Sequence, residues 1–74
     1  MSQLPSVTGR QVIADLGKVG FEVARIRGSH HILIHSDQRR TVVPMHSGET
    51  IGRGLLTQIL RDCQITRNEF RSLL

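Results

Sequence analysis

The sequence predicts a two-layer α+β domain of order α-β-β-β-α, with a three-stranded antiparallel sheet and a short C-terminal helix. Three observations carry that expectation. Apolar residues recur with helical period near both ends of the chain. Segments rich in β-branched residues fill the middle, and the connections between them are short enough for hairpins. At 74 residues the whole chain, 1–74, is expected to form one small domain with no room for a second core.

The first helix opens at Thr8, a good N-cap, with Gln11 three residues on to complete a capping box. Val12, Ile13, Leu16 and Val19 then form one apolar face. Gly20 is a natural stop in left-handed conformation, while Gly17 weakens the last turn. The strands are read at Phe21–Ile26, His30–His35 and Arg40–Met45, joined by Arg27-Gly28-Ser29 and by Ser36-Asp37-Gln38-Arg39. Joins this short make an antiparallel meander the simplest topology. Pro44 cannot donate to a ladder, so it belongs at a strand end or a sheet edge.

A glycine-spaced loop, residues 48–54, leads into a second helix carrying Leu55, Leu56, Ile59, Leu60 and Cys63 on one face. Thr66 and Glu69 make another capping box, opening a final turn or two with Phe70, Leu73 and Leu74. Two helices laid on one face of the sheet would bury most of these aliphatic side chains.

Composition removes several classes of function. The chain has 2 Phe and neither Tyr nor Trp, which argues against aromatic stacking platforms for single-stranded nucleic acid. A single cysteine excludes an internal disulfide and a zinc site built on several thiolates, and suits a reducing cytosol. No apolar stretch is long enough to span a membrane, and the opening Met1–Ser6 lacks the charged start and apolar run of a signal peptide. A cytoplasmic protein is expected.

The net charge of +4 is unevenly distributed. Residues 25–40 carry Arg25, Arg27, Arg39 and Arg40 against Asp37 alone, and the same segment holds His30, His31 and His35. The planar fork of Arg suits phosphate better than the point charge of Lys. The natural partner is a polyanion, whether nucleic acid or an acidic protein. Arginines simply scattered over the surface are the alternative.

Catalytic equipment is sparse. The carboxylates stand singly, without the convergence a two-metal nuclease requires. Residues 48–54 lack the Gly-Lys-Ser/Thr ending of a phosphate loop. Cys63, on an apolar helix face, reads as a small buried hydrophobe rather than a nucleophile. Ser29 beside His30 makes no dyad by adjacency alone.

The histidines remain. Strand alternation sets His31, Leu33 and His35 on one face and His30, Ile32 and Ile34 on the other. Ile32 and Ile34 read as core, which puts His30 at the rim of the core side and leaves His31 and His35 on the open face. There His31 and His35, with His46, form a possible metal set, against the plainer reading of solvated side chains. His30 is the alternative catalytic group. An imidazole serves as base or acid near neutral pH. RNA carries its own 2′-hydroxyl nucleophile, so metal-free cleavage asks only for a proton acceptor and cations. Arg25, Arg27, Arg39 and Arg40 flank His30 in sequence and are the candidate phosphate contacts. Gly28 allows a positive φ and close phosphate approach.

The string Leu16-Gly-Lys-Val-Gly-Phe21, followed by Arg27-Gly-Ser-His-His-Ile32, resembles the HicA (YcfA-like) toxin family. So do Thr41-Val-Val-Pro44 and the helix at 55–63 with Gly48 and Gly54 before it, a match in order over roughly residues 8–70. Gly28-Ser29-His30 is its most specific piece. The resemblance implies a double-stranded-RNA-binding-like fold and an mRNA interferase of a type II toxin–antitoxin pair. It maps the catalytic histidine onto His30, with Gly28 and Ser29 in support. It also implies mRNA as substrate and a HicB-type antitoxin as partner, and with the metal-free chemistry above no cofactor or metal is expected. Gly17 and the scarcity of Lys depart from the family pattern, and neither touches the Gly-Ser-His motif. A non-catalytic RNA-binding module of the same fold is the alternative, and a subunit whose basic strip meets only an acidic protein is a further one.

Overall fold

In the computed structural model, which describes residues 4–74, the order is helix, three strands and two helices. Residues 1–3 of the segment read for a signal peptide lie outside the described residues. Helix α1 runs Gly9–Gly17, the strands are β1 Glu22–Arg27, β2 His30–Ile34 and β3 Arg40–Pro44, and the last helices are α2 Arg53–Cys63 and α3 Arg67–Leu73. The sheet order is β1-β2-β3 with both pairings antiparallel, the expected meander.

The local signals act as read, with one half missing. Thr8 Oγ1 accepts the Gln11 N–H at 3.2 Å, but among the described residues no reciprocal bond from the Gln11 side chain forms. At the other end Gly20 takes φ +99°. The Gly20 N–H donates to Gly17 O at 3.2 Å and the Phe21 N–H to Leu16 O at 3.1 Å. This paired closure satisfies the last carbonyls of α1 and sets Phe21 beside Leu16 in the core. Helix α2 ends the same way with Gln64 at φ +57° in place of a glycine. The Thr66–Glu69 capping box is complete, each side chain bonding the other's backbone at 3.1 and 2.8 Å.

The core joins Val12 and Leu16 of α1, Leu33 of β2, Val43 of β3, Leu56, Ile59, Leu60 and Cys63 of α2, and Phe70 of α3. Leu33, Thr41 and Val43 are buried beneath the helices, while Ile34 and Val42 remain 38% and 42% exposed. The helices therefore cover one face of the sheet and leave the other open. Leu55 and Val19, expected on apolar faces, are instead 41% and 37% exposed, Leu55 at the margin of its helix stripe and Val19 in the turn past the end of α1. Lys18 ties α1 to α3, pairing with Asp15 at 3.1 Å and donating to the Leu73 carbonyl.

One close approach aligns α1 with the end of β3. A Cβ on Gly9 would stand 2.3 Å from Pro44 O, so the helix can reach the strand only because residue 9 has no side chain. No local signal in the sequence marks Gly9 for this contact, because its partner lies 35 residues further along the chain.

Candidate active site

The turn between β1 and β2 is two residues long, since Arg27 and His30 are direct partners across it. Gly28 has φ +58°, and Ser29 is not among the residues at positive φ. That is the type II′ pattern, with glycine at its first central position. The Ser29 carbonyl accepts the Met45 N–H at 2.6 Å, which carries the β2–β3 ladder one bond past Pro44.

His30 is exposed and lies between Arg27 on β1 and Pro44 on β3. Directly opposed residues share a face, so successive rows can be read off the register. Arg27, His30 and Pro44 form the first row of the open face, and Arg25, Ile32 and Val42 the second. Glu22, Ile34 and Arg40 form the third. Four residues of strand separate the first row from the third, about 13 Å at the usual rise.

A bulge in β1 makes this possible. The register shifts between Val23 and Arg25, leaving Ala24 unpaired. A regular strand would send Val23, Arg25 and Arg27 to one face. The extra residue keeps both arginines on the open face while Val23 turns opposite Leu33. Nothing in the alternation of residue types signals this bulge.

The expected faces of β2 are reversed. Leu33, not Ile32 or Ile34, is the core residue, at 0% exposure. His30 is thus on the open face outright, and His31 lies on the helix side with its Nδ1 buried and unbonded. His35 follows β2 and packs edge-on against Phe21, ring centroids 5.1 Å apart. Its Nε2 lies 3.0 Å from the Val19 carbonyl, and its Nδ1 takes the Asp37 N–H at 3.1 Å. The open-face pair of His31 and His35 does not form, and among the described residues no three His, Cys, Asp or Glu side chains are placed to hold a metal ion.

The arginines divide. Arg25, Arg27 and Arg40 belong to the open face. Arg39, on the other side of β3's first residue, lies over Phe21 with 5.1 Å from its guanidinium carbon to the ring centroid. It grips Asp37 at 2.9 and 3.0 Å and donates to the Cys63 carbonyl at 2.5 Å. This guanidinium holds the C-terminal end of α2 against the β2–β3 turn. The Arg39 side-chain hydrogen bond holds the Asp37 carboxyl below its ordinary pKa. Cys63 is buried, and that burial pushes its thiol up to about 12, so it carries no thiolate near neutrality.

The open face combines one exposed imidazole, three guanidiniums and a half-exposed apolar strip of Ile32, Ile34 and Val42. A small α+β domain with this surface is complementary in charge to a polyanion or an acidic partner. Residues 9–65 match the family model of the HicA toxin of bacterial toxin–antitoxin systems, and the chain belongs to that family. An antitoxin partner follows from this membership. No curated protein matches the chain. Among the described residues no helix is long and apolar enough to cross a membrane.

Proposed function

We propose that the chain, acting as a single domain in the cytoplasm, is a metal-independent endoribonuclease that cleaves mRNA and is neutralised by a HicB-type antitoxin. The observation that carries this reading is the cross-strand pairing of exposed His30 with Arg27 on the uncovered face of the sheet. His30 removes or returns a proton at the reacting oxygens. Arg27 and Arg25 offset the charge that develops on the phosphate, and Arg40 holds the strand further along. Gly28 supports the site by closing the turn that presents His30, and Ser29 by anchoring it to Met45. The half-exposed Ile32, Ile34 and Val42 suit an antitoxin that covers the same face.

The test is cleavage of a labelled mRNA by purified chain in EDTA, wild type beside His30→Ala. Wild type cuts, and the variant loses about 10²–10⁴-fold, the usual worth of a positioned proton-transfer group. Equal cutting by both would sink the assignment of His30. Salt-sensitive binding without cutting would identify a non-catalytic RNA-binding module.

A further inference from the structure

Cleavage by a 2′-hydroxyl needs a second proton transfer, because the departing 5′-oxygen must be protonated. Of the four histidines, His31 has its Nδ1 buried on the helix side and His35 has both ring nitrogens engaged. His46 is exposed, and among the described residues its ring makes no hydrogen bond. His30 is the Cα partner of Pro44, and the Met45–Ser29 bond continues that register. β3 ends at Pro44, and His46 follows two residues on, in the loop beside the turn that presents His30. Attacking and leaving oxygens stand on opposite sides of phosphorus, so two proton-transfer groups must flank it rather than touch each other.

His46 also borders a depression of about 360 Å³ lined by Thr8, Arg10, Met45, Ser47 and Gly48. Its wall is the start of α1, drawn onto β3 by the missing Cβ of Gly9. Arg10 is exposed and makes no ion pair among the described residues. The charged groups around His46 are Arg10 across this depression and Glu49, which lines the cavity on its other side.

We infer that this depression receives the leaving nucleotide and that His46 is the general acid of the reaction, an inference that rests on the ribonuclease reading. His30 takes the proton of the 2′-hydroxyl as the 2′-oxygen bonds to phosphorus. The bond from phosphorus to the 5′-oxygen breaks with its electron pair, and His46 gives that oxygen a proton. The products are a 2′,3′-cyclic phosphate and a free 5′-hydroxyl.

The experiment uses two RNA oligonucleotides, one ordinary and one with sulfur in place of the bridging 5′-oxygen at the cut. A thiolate departs without protonation. His46→Ala is expected to cut ordinary RNA about 10²–10³-fold more slowly and the sulfur-bridged RNA at close to the wild-type rate. That recovery also shows that the variant is folded. In the pH profile, His46→Ala loses the alkaline limb and keeps the acidic limb that belongs to His30. An equal deficit on both substrates, or no deficit at all, overturns the assignment of His46 while leaving the ribonuclease intact. Failure of the wild-type chain to cut either RNA overturns both.

Discussion

Arg39 and Phe21 are stacked, with the guanidinium carbon 5.1 Å from the ring centroid, and the same guanidinium reaches the Cys63 carbonyl. A residue that charge alone marks for phosphate is thereby committed to joining the sheet, the β2–β3 turn and the end of α2. Arg27, opposite His30, has no ion-pair partner among the described residues and is available to an anion.

These two arginines should therefore separate by phenotype. Arg39→Ala is expected to lower stability by about 1–2 kcal/mol, from the lost cation–π contact and carbonyl bond. Its RNA affinity should fall no more than its folded fraction. Arg27→Ala should leave the unfolding midpoint nearly unchanged and reduce the slope of log affinity against log salt by about one. Denaturant unfolding beside binding at several salt concentrations checks both. A reduced salt slope in folded Arg39→Ala would contradict the division.

Two glycines matter for different reasons. Gly9→Ala places a methyl 2.3 Å from Pro44 O. The helix must retreat from β3, which costs on the order of 2–3 kcal/mol and opens the depression beside His46. Gly28→Ala meets no atom within 4 Å, and its cost is the left-handed conformation alone, about 1–2 kcal/mol. Gly28→Asn should recover part of that loss, because Asn tolerates positive φ, whereas Gly9→Asn should not. Thermal unfolding of the four variants tests the distinction.

The titration pattern predicts a stability plateau with two edges. The Cys63 thiol is raised from 9.0 to about 12, chiefly by burial. The folded chain thus holds that proton more tightly than the unfolded one. The associated stability is complete below about pH 9 and is lost as pH rises toward about 12. On the acid side, the side-chain bond from Arg39 lowers Asp37 and the backbone bond from Thr66 lowers Glu69. Their contributions are present above their ordinary values of 3.8 and 4.5 and disappear as pH falls through the depressed ones. Denaturant midpoints measured against pH should show both edges, and Cys63→Ala should remove its share of the alkaline one. In the native protein near pH 8, alkylation of Cys63 should proceed only as fast as the chain unfolds.

Much of the fold is legible in short-range chemistry. Thr8, Gly20 and the Thr66–Glu69 pair act within a few residues, so the helix limits they set hold wherever the helices pack. The hairpin turn was equally legible but read one residue too long, because Arg27 pairs with His30 and leaves only Gly28 and Ser29 between the strands. The face of β2 was not legible. His31 to Ile34 is apolar at both parities, so alternation carries no signal there, and reading Ile32 and Ile34 as core reverses the true arrangement. The burial of Thr41 and Val43 on the neighbouring strand decides it. The β1 bulge was equally hidden, since Ala24 fits a paired or an unpaired position.

By itself, then, the sequence determined the order of elements, the hairpin that carries His30, and membership of the HicA toxin family over residues 9–65. Each of these depends on residues close in the chain or on a motif read in order. Only the tertiary structure decided that His30 faces away from the helices, that Arg39 is an internal tie, and that His46 follows the end of β3 that pairs with His30. Those facts depend on which surface the helices cover and how strands distant in sequence align, and both are settled by burying Leu33, Val43 and Phe70 in one core.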